Sequence, residues 1–293
     1  FKDFTSLEWE IEELKKTHIL VFIDTFYEEF IPQIHLLREK FGHLHTQQYD
    51  LFRNKEKQRY LLWVTPSPYN VYSKKASIDI LNLNEIKEKI GIPFILKPEI
   101  GVGSLGVVKI SWEEELEKYK RDFLQEKECL IEEYIDGEMY SIDYFVDTEQ
   151  NIYASSPIEM KLWKDLGVDD FFVYSCSVYN NMWEIIPEKE MRDFLRFTVK
   201  ECWIKNTFIH HEFKYTSKKV LKTIEINGRI GGRRIKILQN WYGINIYNFL
   251  FEKKDFLYSP IKNAFSAFAI YPPKVWKLIA YNMELIEQIE SLP

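Results

Sequence analysis

The chain has 293 residues, 46% hydrophobic and 16% aromatic, enough apolar material for one large core or two to three smaller ones and too much for a disordered chain. A net charge of −6 offers no general field to a polyanion, so nucleic acid is disfavoured as a main partner, a local basic site aside. No run of about 18 apolar residues is present, and the cysteines Cys129, Cys176 and Cys202 are odd in number, far apart and without CxxC spacing. These features predict a reducing, cytoplasmic setting, with no membrane partner, disulfide framework or thiolate metal site.

The opening FKDFTSLEWEIEELKK (1–16) is acidic and amphipathic, unlike a basic-then-apolar leader. Because the chain starts at Phe1, its first lobe is expected to be incomplete. THILVFIDTF (17–26) reads as a strand, and Phe30, Ile34, Leu37 and Phe41 then recur at helical spacing up to Gly42. NKEKQRYLLW (54–63) predicts a short helix, broken by the two prolines of TPSPYN (65–70).

A weak strand over 78–81, a helix over 84–91, a strand in PFILKP (93–98), a glycine loop, a strand in GVVKIS (106–111), a helix over 112–124 and a strand in CLIEEYI (129–135) make a small α+β unit. EMYSIDYFVD, NIYASSPIEM and FFVYSCSVY follow as antiparallel strands. A helix from Pro187 to about Asn206 puts Met191, Phe194, Leu195, Val199, Cys202 and Trp203 on one face. TFIHHEFKY and VLKTIEING form a hairpin across TSKK, and the tail reads as helical with a break at Pro272-Pro273. The aromatic excess, including Trp163, Tyr174 and Trp183, predicts core and pocket wall.

LKPEIGVGSLGVVKI (96–110) contains Gly101-x-Gly103-x-x-Gly106. A dinucleotide fingerprint needs its last glycine to open a helix, whereas Gly106 opens a strand. A protein kinase does place such a loop between strands, but His-Arg-Asp, Asp-Phe-Gly and Val-Ala-Ile-Lys are missing, and Val107 stands where a Walker A lysine would be. Instead Lys97 precedes the loop at the end of an apolar strand. A strand lysine beside a Gly/Ser flap suits a triphosphate, because backbone amides can approach where no side chain intervenes.

Two further stretches concentrate polar chemistry. CLIEEYIDGEMYSIDY (129–144) places Glu132, Glu133 and Glu138 where a strand becomes a linker. In FIHHEFKYTSKKVLKTIEINGRIGG (208–232), Glu212 and Glu225 stand on adjacent strands, and with the Asn227 amide oxygen they form the hard-oxygen set that Mg²⁺ prefers. Arg229 falls on the face of Asn227 if the strand continues, with a guanidinium able to fork onto phosphate or carboxylate. His210 shares the face of Glu212 and reads as a packing or supporting residue, whereas His211 points to the opposite face.

In order, these pieces resemble the ATP-grasp superfamily, and more narrowly its carboxylate–amine ligases of the L-amino acid ligase type. The match runs from about Asn54 to Gly232 through NKEKQRYLL, FILKPEIGVGSLGVVKI, LIEEYIDGEMYSID, HHEFKY and IEINGRIGG. The resemblance implies an α/β fold of α+β lobes: an N-terminal lobe (1–58), a central lobe with the flap (59–135) and a C-terminal antiparallel-sheet lobe with the metal and catalytic residues (136–293). It implies that Lys55 and Lys97 contact ATP phosphates and that Gly103, Ser104 and Gly106 belong to the flap over them. Glu132, Glu133 and the Ile135 backbone match the adenine hinge, and Glu138 the ribose acid. Glu212, Glu225 and Asn227 match the ligands of Mg²⁺, with Mn²⁺ as an alternative, and Arg229 the arginine that steadies an acyl-phosphate.

The activity so implied is ATP-dependent amide or peptide bond formation with release of ADP and phosphate, on small-molecule carboxylate and amine substrates such as amino acids. A carrier-protein thiol as acceptor and a non-catalytic nucleotide-binding module are the alternatives, and a homodimer is common in such enzymes. Three features depart from the pattern. Arg233-Arg234 replaces a small residue, as a contact to an acidic substrate or a solvated pair; WVTPSP replaces a glycine-containing turn; and the tail ends early, at IEQIESLP.

Overall fold

A computed structural model describes residues 4–43, 49–101, 103–167, 171–179, 181–232, 234–242, 245 and 264–268. Helices α1 (Phe4–Lys15) and α2 (Ile31–Lys40) pack through Ile11, Ile34 and Leu37 around Ile23. The run 17–26, expected as a strand, joins no ladder. Its backbone has another use: the Ile23 carbonyl accepts from Arg38 Nε at 2.7 Å, and Phe22 packs edge-on against Phe145 and Phe208.

Helix α3 (Lys55–Trp63) starts where expected, with Asn54 as its cap accepting from the Lys57 amide at 2.8 Å. Its buried face is polar. Gln58 Nε2 donates to the carbonyls of Leu51 and Ile226 at 2.7 and 2.8 Å, while its Oε1 accepts from the Ile226 amide at 3.0 Å. Arg59 Nη2 donates to the Ile224 carbonyl at 2.8 Å. These bonds fasten the helix to the edge of the larger sheet.

The smaller sheet is antiparallel, in the order β1-β4-β2-β3, from β1 (Ser73–Ser77), β2 (Phe94–Lys97), β3 (Val108–Ile110) and β4 (Glu128–Glu133). Helices α4 (Leu83–Ile90) and α5 (Glu113–Phe123) cover it, with Ile86, Leu116 and Tyr119 against Phe94, Leu96 and Ile131. The strand expected over 78–81 lies earlier, as β1, and Ile78–Ile80 is a 3-10 turn. Ile78 is fully buried there, so its apolar signal marks a core anchor rather than a ladder position.

The larger sheet runs β10-β9-β5-β7-β8-β11, with β6 also paired to β5. Its strands are β5 (Glu138–Val146), β6 (Ile152–Ala154), β7 (Ile158–Leu162), β8 (Val173–Tyr179), β9 (Thr207–Tyr215), β10 (Leu221–Asn227) and β11 (Ala264–Phe268). The run 151–160 is two strands rather than one. Ser155 interrupts it by bonding back to β5, its amide donating to the Asp143 carbonyl at 2.9 Å and its hydroxyl accepting from the Asp143 amide at 3.2 Å.

Helix α6 (Met182–Ile185) leads into α7 (Glu188–Glu201), and α8 (Arg234–Tyr242) follows the hairpin. Alternation sorts the larger sheet's faces. Tyr140, Ile142 and Tyr144 of β5 join Phe194 and Leu195 of α7, Leu62 of α3 and Phe52, whereas Met139 and Phe145 join Phe208 and, from α8, Ile237 and Leu238. Each of the three larger core clusters holds one buried cysteine.

Helix α7 stops at Glu201 instead of reaching Asn206. Gln150 Nε2 donates to the Val199 and Ile204 carbonyls at 3.3 and 3.2 Å, and Trp203, expected on the buried face, turns out at φ 53° with 66% exposure. The tail is not wholly helical, since β11 pairs antiparallel with β8. The Pro272-Pro273 break lies outside the described residues. No helix among the described residues is long and apolar enough to cross a membrane.

Candidate functional site

A cavity of about 240 Å³ lies between the two sheets, lined by Lys97 of β2, Glu132 and Glu133 of β4, Glu212 and Lys214 of β9, and Glu225 and Asn227 of β10. Lys55, Ile135, Arg229 and the loop residues Gly103 and Ser104 line it as well. Segments separated by more than a hundred residues thus meet in one cleft.

The convergence of Glu212 and Glu225 depends on a β-bulge. Strict alternation from Leu221 would keep Thr223, Glu225 and Asn227 on one face. The register shifts between Thr223 and Glu225, so Thr223 pairs with Phe213 while Glu225 and Asn227 pair with Glu212 and His210. Thr223 stays on the α7 side, its hydroxyl 3.1 Å from His211 Nε2. Glu225 and Asn227 turn to the cleft.

Four ion pairs, two of them sharing Glu132, stand in or beside the cleft. Glu132 is clamped by Arg59 (Nε at 2.7 Å, Nη2 at 3.2 Å) and by Lys97 Nζ at 2.7 Å, all of them buried. Burial would raise the Glu132 pKa; Arg59 and Lys97 reverse that and hold it at about 2. Burial pulls Lys97 down to about 8 against the attraction of Glu132. Lys55 Nζ is 2.8 Å from Glu225 Oε1 and donates to the Gly101 carbonyl at 3.0 Å, tying the flap's base to β10. Arg229 Nη2 meets Glu28 Oε2 at 2.9 Å, and burial, then Glu225, raise the Glu28 pKa.

Behind Glu212 stands a buried polar chain. His210 Nε2 is 3.3 Å from Glu212 Oε1, and His210 Nδ1 is 3.1 Å from Asp143 Oδ1, which also accepts from the Gly231 amide at 2.8 Å. Burial works against the His210 imidazolium, but Asp143 outweighs it and raises the pKa. Gly231 is obligatory here, since a Cβ would sit 2.6 Å from His210 Nδ1. His211, on the opposite face, stacks on Phe194 with centroids 4.7 Å apart, and burial takes its pKa down to about 3.

Gly106 and Glu138, expected at the site, are not among the residues lining the cavity. Glu138 pairs with Lys161 at 2.8 Å, and Gly106 closes the loop against Pro98 and Phe123 at φ +74°. Arg234 is neither solvated nor free for a substrate: it is buried, with Nε 3.4 Å from Asp143 Oδ2 and Nη2 donating to Ser141 Oγ. Arg233 and the Tyr174 side chain lie outside the described residues. Trp163 and Trp183 are half-buried and neither lines the cleft.

Among the described residues no three His, Cys, Asp or Glu side chains cluster as a metal site. The donor set here is instead two carboxylates and an amide, and Asn227 Oδ1 is buried without a hydrogen-bond partner. An orphaned hard oxygen beside two carboxylates fits a divalent cation such as Mg²⁺. Sequence reasoning missed Arg59, Glu28, Asp143 and Lys214. Two of them carried a signal: Arg59 stands four residues after Lys55 and so on the same helix face, and Lys214 two residues after Glu212 and so on the same strand face.

A family model for the ATP-grasp domain matches residues 90–237, which take in β2 to β10 and end within α8. The chain belongs to the ATP-grasp family. A curated ATP-grasp relative, a D-alanine–D-alanine ligase of Flavobacterium psychrophilum, is 30% identical over 125 residues, covering 42% of this chain and 36% of that protein. The chain therefore spans little more than a third of that relative.

Among solved structures, an L-amino acid ligase from Bacillus licheniformis aligns with TM-score 0.64 and 17% identity, over 89% of this chain and 62% of that one. N5-carboxyaminoimidazole synthetase from Staphylococcus aureus, complexed with ADP, aligns with TM-score 0.54 and 20% identity, over 72% and 53%. At these identities the likeness establishes the ATP-grasp fold alone.

Proposed function

We propose that this chain is the nucleotide-binding and catalytic part of an ATP-dependent carboxylate–amine ligase that forms an amide or peptide bond through an acyl-phosphate. The observation that carries the reading is the single cleft in which Lys55, Lys97 and Arg229 face Glu212, Glu225 and the orphaned Asn227 oxygen. The ADP in the Staphylococcus aureus structure and the amino-acid ligase identity of two similar proteins support it.

In this reading the substrate carboxylate attacks the γ-phosphorus of ATP, the β,γ-bridging bond breaks, and ADP leaves. An amine then adds to the acyl carbon, loses a proton and expels phosphate. A carboxylate is a poor acylating agent because its leaving oxygen is basic, and phosphorylation removes that obstacle. Lys97, fixed by Glu132, and Lys55 hold phosphate oxygens. Arg229 steadies the transferring phosphoryl group and exchanges Glu28 for it. Glu212, Glu225 and Asn227 would hold Mg²⁺, and His210 keeps Glu212 turned to the cleft. A divalent cation held there would supply neutralising charge beside the phosphates. The cleft offers positioning and electrostatics, and this chemistry requires no protein nucleophile.

The test is ADP and phosphate release with Mg-ATP and amino acids, singly and in pairs, with mass detection of products and Glu225→Ala as control. Turnover that needs a pair, yields a dipeptide and disappears in the variant supports the reading. Absence of ATP binding refutes it.

A further inference from the structure

Among the described residues that line the cleft, Lys214 is the cation that no carboxylate holds. Lys55, Lys97 and Arg229 each meet a glutamate within 3 Å. Lys214 Nζ donates instead to the Ile135 carbonyl at 2.9 Å and lies 5.3 Å from the centroid of the Tyr134 ring. Its carbon stem runs along the cleft beside Met139, its register partner on β5.

An ammonium has three N–H donors. The one carbonyl leaves two donors to be matched, on a half-buried side chain in a cleft that Ile135, Met139, Leu162 and Ile224 also line, where an unmatched donor is costly. Lys214 also follows Glu212 by two residues, so it lies on the same face of β9 and about 7 Å along the strand. A ligand whose phosphates reach Glu212 would place its other end beside Lys214 and the 133–135 turn.

We propose that Lys214 is a specificity residue that donates a hydrogen bond to a ring nitrogen of the purine base while it pins the 133–135 turn through Ile135. This rests on the ATP-binding reading above and goes beyond it in naming the group that reads the base. The ligand chemistry is a flat heterocycle with an in-plane acceptor, not a further phosphate. A lysine that met the α-phosphate would act on any polyphosphate alike.

The experiment measures binding of Mg-ATP, of the 1-deaza, 3-deaza and 7-deaza analogues of Mg-ATP, and of Mg-tripolyphosphate to the full chain and to Lys214→Met. Each deaza analogue removes one acceptor nitrogen. In the wild type one of them is expected to bind about tenfold more weakly than ATP, the worth of a hydrogen bond from a charged donor. In Lys214→Met, ATP and that analogue are expected to bind alike, with tripolyphosphate affinity unchanged, which also shows that the cleft is intact.

A tenfold preference for ATP that persists in the variant overturns the proposal, as does a wild type indifferent to all three deaza substitutions. Equal weakening of ATP and tripolyphosphate overturns it too, because it marks a phosphate contact or a structural role. A wild type that binds neither ATP nor tripolyphosphate removes the ATP-binding reading itself, an outcome distinct from the others.

Discussion

Replacing Glu132 by Gln keeps the side chain's shape and removes its charge. Arg59 and Lys97, both buried, then face each other's positive charge with no anion between them. Deleting one partner of a buried ion pair costs about 3–5 kcal/mol, mostly from the charge left behind, and here two are left. Glu132→Gln should therefore lose at least about 3 kcal/mol. With a urea slope of about 3 kcal/mol per M for a chain of this size, the midpoint should fall by about 1 M or more.

A companion triple variant, Arg59→Met, Glu132→Leu and Lys97→Met, removes all three charges together and should recover much of that loss, although it cannot support phosphate binding. The assay is urea unfolding followed by tryptophan fluorescence and far-ultraviolet dichroism. A loss below about 1 kcal/mol in Glu132→Gln, or a triple variant less stable than the single one, would refute the account of Glu132 as the keystone of a charge cluster.

The same carboxylate sets an acid limit. Its folded pKa of about 2 lies below the ordinary 4.5, so its contribution is whole above pH 4.5 and is lost as pH falls from there toward 2. Unfolding midpoints recorded across that window should drop in the wild type and drop less in the triple variant. Gly231→Ala forces a methyl into His210 and Arg234 and should cost about 2–3 kcal/mol, read as a lower midpoint in thermal unfolding. Lys55→Met frees Glu225 of its ammonium and should strengthen binding of Mn²⁺ alone while weakening Mg-ATP, as manganese paramagnetic resonance and nucleotide titration would report. Phe194→Ala, emptying a fully buried site under His211, should lose about 3–5 kcal/mol by urea unfolding.

Much of this arrangement was legible in the residues. The β9–β10 hairpin, the strand carrying Lys97 and the capped α3 all follow from periodicity and turn chemistry, which act over a few residues. What escaped is long-range or turns on a single inserted position. The bulge after Thr223 leaves no mark in VLKTIEING, yet without it Glu225 would face Phe194. Glu28 reaches Arg229 across the fold, and although Arg59 shares the helix face of Lys55, its partner Glu132 stands 73 residues away. The run 17–26 has a strand's composition but no edge to join, since its carbonyl at Ile23 serves Arg38. Arg234 stands in an arginine pair after two glycines and looks exposed in sequence, but it is buried beside Asp143.

Helix α3 touches both sheets: Gln58 and Arg59 bond to the β10 backbone, and Arg59 also holds Glu132 of β4. The 134–137 connection joins β4 to β5, Lys222 of β10 donates to the Asn70 carbonyl at 2.6 Å and lies 3.9 Å from Glu133 of β4, and the Ser104 hydroxyl donates to the Phe171 carbonyl at 3.2 Å. With Lys55 bridging Glu225 and the Gly101 carbonyl, the two sheets are laced together along the whole length of the cleft. Most of the stitches are charged side chains that also face the nucleotide's place, so the groups that would grip a ligand are the same ones that hold the two halves of the molecule in register.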